Sequence, residues 1–360
     1  MIKKYKIVFS EKNLGGVYTV SQSLKKGLLN NNHKAELLNI RQFENNIIKR
    51  IIISMLYVMR NFKKNEIIIL MHYEPVFIGF FLKFLGYEKI INVIHTNVVD
   101  YYNSANLIKK IIIRFIMWSI KNNCTVFVSK EAELKAKEKF KLNGTTTIYN
   151  IYTPIIKEFI KPNHNKLVLG VLARLHQVKN IDLAIRVIAA LKLKYPNLEL
   201  HIYGKGSEEP KLKDYIADLD CESFIFLKGF TSDQQFFFES IDALISFSSL
   251  EGFGMTILES INFKTPVLHT DCSSGPRELM SLNSNSMKKT DSFEKTRVGY
   301  LIKPLFKQCP YNKILTSWEY DYIEIVDRFI VDLQNKYFDM EYSFERFSEQ
   351  KIINKWIRLL

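Results

Sequence analysis

The sequence predicts an α/β chain of two doubly wound, parallel-sheet domains facing a cleft. Short apolar runs alternate with longer helical stretches, as in parallel sheets whose strands are buried on both faces. The alternation stops at Thr153 to Lys166, where Pro154, Pro162, Asn163, His164 and Asn165 read as a linker, and then restarts. At 360 residues the chain is too long for one ordinary core and suits two.

In the first half, Lys6–Phe9 reads as a strand, Gly15-Gly16 as a turn and Val17–Leu29 as a helix. Strands follow at Glu66–Met71, Ile90–His95 and Thr125–Ser129, with helices at Ile47–Phe62, Ala105–Lys121 and Lys130–Phe140. In the second half, strands read at Leu167–Leu172, Leu198–Tyr203, Ser223–Leu227, Ala243–Phe247, Pro266–His269 and Gly299–Ile302, and Asp182–Tyr195 is the clearest helix. The expected domains are residues 1–155 and 163–339, with a C-terminal helix near 340–360 returning to the first.

Composition narrows the class. Hydrophobic residues at 47% and charged residues at 24% exclude a disordered or fibrous chain. Cys124, Cys221, Cys272 and Cys309 are far apart, so neither a disulfide framework nor a zinc site is expected. The first residues hold too short an apolar run for a signal peptide, and no stretch is apolar enough to span a bilayer. A reducing, cytoplasmic setting is expected. The chain carries 51 basic and 37 acidic residues, and residues 1–150 hold 24 and 10 of these, so the whole excess of +14 lies in the first half. A one-sided basic field points to a polyanionic partner, nucleic acid or an anionic membrane surface.

The main chemical signal is Glu251-Gly252-Phe253-Gly254-Met255-Thr256-Ile257-Leu258-Glu259, which follows a strand and opens an apolar helix. Its glycines let backbone approach a ligand, and the helix start offers free N–H groups to an anion. Glu259 lies one turn past Met255, from where a carboxylate can accept bonds from hydroxyls. The second signal is Arg174 and Lys179 in the loop after the strand Leu167–Leu172, two cations suited to a diphosphate. Gly204-Lys205-Gly206 ends the next strand, and Ser274-Gly275-Pro276-Arg277-Glu278 follows Pro266–His269. All four features fall at the carboxyl edge of one sheet, where such sheets bind ligands.

Together these residues resemble the family-4 (group 1) retaining glycosyltransferases of GT-B fold, whose two domains are Rossmann-like. The resemblance is tightest over residues 167–303. It implies that Glu259 binds the nucleotide ribose and that Glu251 contacts the donor sugar beside the backbone of Gly254, Met255 and Thr256. It also implies that Arg174 and Lys179 neutralise the diphosphate. Gly15, Gly16 and Gly204 are expected at the donor, and His95 facing the sugar. The implied reaction moves a hexose or N-acetylhexosamine from a nucleotide diphosphate sugar to a lipid-linked or lipopolysaccharide glycan acceptor held by the first domain. No cofactor and no metal are expected. The stretch Asp271–Glu278 looks like members that build bacterial O-antigen, lipopolysaccharide and capsule. Thr265 stands where the family usually has Gly, so that turn is expected to differ, and only Asn150 remains of an Asn-Gly turn at the crossover.

Asp218-Leu219-Asp220 spells a metal-binding D-x-D but falls in a helical stretch. His33, His72, His164, His176, His201 and His269 show no metal spacing and read as structural or surface residues, with His72, at a strand end with Tyr73 and Glu74, also a candidate acceptor contact. The segment Asn106–Lys121 is expected to form a helix with Lys110, Arg114 and Lys121 near one side and Lys109 on its flank, presenting these cations and Trp118 to an anionic membrane at the inner face of the cytoplasmic membrane. Two alternatives stay open: a sugar-nucleotide epimerase of similar fold, and a nonenzymatic basic membrane- or RNA-binding protein. The RNA form of the latter lacks a basic-aromatic recognition string, and no nucleic-acid partner is expected.

Overall fold

The computed structural model describes residues 2–12, 15–155, 165–282, 285–305 and 310–359. The linker residues Pro162, Asn163 and His164, and Cys309, lie outside them. The chain divides into two compact units, Met1–Thr153 with the segment from Ser343 onward, and Pro154–Tyr342.

The first unit runs β1 (Lys4–Phe9), α1 (Gly16–Asn30), β2 (Lys34–Asn39), α2 (Ile47–Asn61), β3 (Ile67–Met71), α3 (Tyr73–Phe84), β4 (Ile90–Ile94), α4 (Val98–Ser104), α5 (Leu107–Ser119), β5 (Thr125–Phe127), α6 (Lys130–Phe140) and β6 (Thr145–Thr147). Its sheet is parallel in the order β2-β1-β3-β4-β5-β6. The Ile-rich β3 and β4 are buried along their whole length, which β-branched residues favour because they pack on a two-sided sheet. Polar caps fix where helices begin. Asn46 accepts from the Ile48 and Lys49 N–H groups, Asn97 from Val99 and Asp100, Asn106 from Lys109, and Ser129 from Ala132.

The second unit continues β7 (Leu167–Leu172), α7 (Ile181–Leu191), β8 (Leu198–Tyr203), α8 (Glu209–Asp218), β9 (Ile225–Gly229), α9 (Gln234–Glu239), β10 (Ala243–Ser246), α10 (Met255–Asn262), β11 (Val267–Thr270), α11 (Pro276–Met280), β12 (Phe293–Thr296), β13 (Gly299–Ile302) and α12 (Tyr320–Gln334). Its sheet order is β12-β13-β11-β10-β7-β8-β9, antiparallel only at β12. Inside it, Arg186 on α7 is fully enclosed between Asp182 at 3.1 Å, Glu319 at 2.6 Å and the Tyr215 hydroxyl at 2.9 Å. Such a charge is tolerated inside only because several acceptors satisfy it. The last helix, α13 (Glu349–Ile357), belongs to the first unit and buries Ile352, Ile353 and Trp356.

The structure corrects the sequence-based elements in places. Several elements were unread, among them β2, β6, β12, α3 and α4. Strand β2 is an edge strand buried at only some positions. Helix α3 is apolar around much of its circumference, so it lacks a helical stripe, and Pro75 sits in its first turn where a missing N–H costs nothing. The expected helix Ala105–Lys121 is α5 alone, with Ala105 and the Asn106 cap standing between it and α4. The strand read at Ser223–Leu227 is shifted to Ile225–Gly229. At the turn before β11 the left-handed residue is Lys264 (φ 53°), while Thr265 is fully buried and donates to the Phe263 carbonyl at 3.2 Å.

Candidate functional site

In the second unit the strands β11-β10-β7-β8 are consecutive neighbours and parallel, so the four loops at their carboxyl ends lie side by side. The chain goes from β7 outward to β8, but β10 lies on the other side of β7. The strand order therefore reverses between β7 and β10, the place where such sheets open a ligand crevice.

Lys179 and Glu251 meet across this reversal. Lys179 ends a single turn at Gln177–Lys179 after β7, and Glu251 follows β10. The loop is tied down on both sides of the lysine: Asn180, at φ 45°, donates its amide to the Phe247 carbonyl at 2.8 Å, and the Ser249 N–H donates to the Val178 carbonyl at 2.8 Å. The Lys179 ammonium then lies 2.6 Å from Glu251 Oε1. Burial alone would push the Glu251 carboxyl up, but Lys179 and His269 hold it well below the ordinary carboxylate range. Arg174 is exposed in the same loop, with no ion-pair partner among the described residues.

His269 was missed as a site residue. It is fully buried on β11, with Nδ1 2.8 Å from the Thr270 carbonyl and Nε2 3.6 Å from the same Glu251 oxygen. Nε2 has no hydrogen-bond partner among the described residues. Its neighbour is set by the adjacency of β10 and β11, which no local sequence string encodes. His269→Ala should lower kcat by roughly tenfold to a hundredfold, because Glu251 would lose the group that fixes its orientation, with the donor KM little changed. Steady-state kinetics check this: a raised KM at unchanged kcat would assign His269 to ground-state binding instead.

Gly254 caps α10 in the left-handed region at φ 92°, which favours glycine, and Met255 and Thr256 open the helix with their N–H groups. Glu259, one turn on, keeps part of its surface open. Burial nevertheless pushes its carboxyl up to about 7, against one bond from the Gln234 amide at 2.8 Å. Gln234, the first residue of α9, is a second group the sequence did not single out.

Two glycine positions serve loop packing. A Cβ on Gly204 would stand 1.8 Å from the Ala173 carbonyl, and one on Gly275 1.8 Å from the Phe253 carbonyl. The loops after β7 and β8, and those after β10 and β11, therefore press together backbone to backbone. The Asp271–Glu278 stretch carries its own brace: Arg277 bonds both Asp271 oxygens at 3.1 and 3.0 Å, with both residues buried. Asp218 pairs with Lys313 at 3.2 Å, and Asp220 lies outside the helix at φ 52°. Among the described residues no group of three His, Cys, Asp or Glu side chains is arranged to hold a metal ion.

In the first unit His95 directly follows β4 and is nearly enclosed, with Nε2 3.2 Å from the Met71 sulfur. Burial, with His72 nearby, lowers its pKa to about 3, so the ring is neutral. A small void beside it is walled by Leu24, Ile352 and Trp356. His72 holds a left-handed backbone (φ 76°) and accepts the Tyr73 N–H through Nδ1; burial lowers it to about 4. At α1 the Glu11 carboxylate accepts the Gly15 and Tyr18 N–H groups at 3.2 and 2.8 Å. The other oxygen of that carboxylate occupies the space above Gly15, whereas the side-chain position at Gly16 is open.

Residues 153–293 match the family model described as glycosyl transferases group 1. The poly(ribitol-phosphate) alpha-N-acetylglucosaminyltransferase of Staphylococcus aureus (strain COL) is 26% identical over 269 residues, covering 74% of this chain and 50% of that protein. The chain thus spans about half the length of this relative. Among solved structures, the lipopolysaccharide outer core galactosyltransferase WaaB in its apo form superposes with TM-score 0.67 at 17% identity, covering 99% of both chains. Anabaena HepE, in complex with UDP and glucose, gives TM-score 0.69 at 16% identity, covering 99% of this chain and 98% of that one. At these identities the likeness is one of fold. Residues 153–293 thus match the group 1 glycosyl transferases, and the chain has the GT-B fold of two Rossmann-like units.

Proposed function

We propose that this chain transfers a hexose or N-acetylhexosamine, with retention of configuration, from a nucleotide diphosphate sugar to a lipid-linked or lipopolysaccharide glycan acceptor at the inner face of the cytoplasmic membrane. The observation that carries this reading is the Lys179–Glu251–His269 cluster at the strand-order reversal, beside the N-terminus of α10. Glu259 would accept bonds from ribose hydroxyls, and Glu251 would hold a donor-sugar hydroxyl with its second oxygen. Arg174, Lys179 and the first amides of α10 would take up the charge growing on the departing diphosphate. The relatives support the same substrate classes: one is named for adding N-acetylglucosamine to a poly(ribitol-phosphate), and another for galactosyl transfer in lipopolysaccharide.

Because two cations and a helix dipole supply what a divalent ion would supply, turnover should continue in excess chelator. Complete loss restored by Mn²⁺ would overturn that part of the reading. The direct test is a thermal-shift screen of nucleotide diphosphate sugars, since a ligand of the folded state raises Tm, followed by transfer assays with the donor found. Conversion of the donor sugar without any acceptor would instead indicate an epimerase.

A further inference from the structure

Helix α2 is built inside out. At four-residue spacing it turns Arg50, Ser54 and Val58 inward, all buried, while the opposite face presents Ile48 (67% exposed), Ile52 (53%), Leu56 (47%) and Met59 (48%). Arg50 fixes this orientation: it pairs with Glu74 and donates to the Asn45 carbonyl at 2.8 Å. Glu74 accepts in turn from Ser10 at the end of β1, at 2.7 Å. An amphipathic helix facing water carries the reverse pattern.

The same holds along α5, where Leu107, Ile108, Ile111 and Trp118 are each more than half exposed. Helix α3 packs against both α2 and α5. Phe80 on α3 touches Phe84, itself 77% exposed, and Trp118, with ring centres 5.0 and 6.1 Å away. The exposed apolar surface is thus one platform across three helices, larger than the scattered apolar residues ordinary on a soluble surface.

Charge identifies the occupant. Neither α2 nor α5 contains an Asp or Glu, and Lys49, Arg60, Lys109 and Arg114 stand exposed among the apolar residues. A second copy would set these cations against one another. Anionic headgroups over an acyl layer match both features at once. Trp118 is of the residue type that settles at a headgroup boundary, and Phe84 of the type that inserts into the apolar layer beneath it.

We propose that α2, α5 and the Phe84 end of α3 form a bilayer-inserting platform for anionic lipid, in which α2 supplies the apolar insertion and the cations orient it. Its purpose rests on the lipid-linked acceptor reading above, but its geometry does not. It differs from attachment by the lysines of α5 alone in one measurable way, since screening salt removes headgroup attraction and leaves apolar insertion.

The test is flotation of the full chain with vesicles of phosphatidylcholine alone, or mixed with phosphatidylglycerol, at low and high salt. The parent should float with the mixed vesicles, and about half or more of that binding should survive high salt. Ile48→Gln, Ile52→Gln and Leu56→Gln together should cut flotation by about tenfold or more, with nucleotide-sugar thermal shifts unchanged. Equal flotation of parent and triple variant would overturn the proposal. So would complete loss of the parent's binding at high salt, or a parent dimer in solution that the triple variant dissolves. A thermal shift by nucleotide sugars together with failed flotation would remove the platform and leave the donor site standing; flotation without any such shift would do the opposite.

Discussion

Lys179→Ala should disable the protein twice over. It leaves the buried Glu251 carboxylate with His269 as its remaining neighbour of opposite tendency, and removing one partner of a buried pair costs about 3 kcal/mol or more. Turnover should fall by roughly 10²- to 10³-fold, the usual loss when one donor to developing charge is removed. A double variant separates the two effects. Lys179→Met with Glu251→Gln should regain most of the stability, since no buried charge is left unpaired, and none of the turnover. Arg174→Ala gives the contrast, because its exposed guanidinium has no described ion pair to lose: turnover falls and the denaturation midpoint stays. Denaturant titration with single-turnover assays checks all of these. Lys179→Ala at parental stability, or turnover within about twofold of the parent, would remove the cluster from the active site.

Glu259→Gln should stabilise the protein and weaken its nucleotide binding, with opposite biological value. The Glu259 carboxyl has an ordinary value of 4.5 and sits at about 7 in the folded chain, because burial penalises its charged form. Between these values the folded state holds the proton more tightly than the unfolded state, so this group's contribution to stability falls as pH rises from 4.5 to 7. The full cost, on the order of 3 kcal/mol, is present above pH 7 and absent below pH 4.5. The glutamine variant should therefore gain stability over the parent at pH 8 and show no such gain at pH 4.5. Nucleotide affinity should drop by about tenfold or more, the difference between a charged and a neutral acceptor. The parent's own affinity should rise with pH through 7, and the variant's should stay flat. Calorimetric titration across pH 5.5–8.5 reads both. Equal affinities, or a gain at pH 4.5 as large as at pH 8, would contradict the assignment.

These two residues were readable from the sequence because their signals are local: glutamates, glycines and a helix start within one string, and a lysine just after a buried strand. The repeated strand–helix alternation was readable for the same reason, since each strand is an unbroken apolar run. What escaped notice depends on neighbours distant in the chain. His269 is one histidine in an apolar strand until β10 is placed beside β11, and Gln234 is one amide in a polar stretch until it meets Glu259. Helix α3 has no apolar stripe to detect, because sheet and flanking helices cover it on several sides. In α2 a stripe is present, but composition alone does not say which side faces out. The buried contacts of Arg50 with Glu74 and with the Asn45 carbonyl decide it.

The first unit is completed by a segment that is made after the whole second unit. Ile352, Ile353 and Trp356 of α13 close over α1, and a side chain at Gly27 would collide with Ile353 at 2.6 Å. About 190 residues of the second unit are synthesised in between, an interval of about 10–40 s at ordinary elongation rates. During that time the nascent first unit carries an uncovered seam at Leu24 and Gly27, and the void beside His95 stands without its Trp356 wall. Translation order therefore delays this unit's maturation until the second has left the ribosome. A chain cut before Ser343 would keep the first unit open on that side, a substrate for chaperones and proteases.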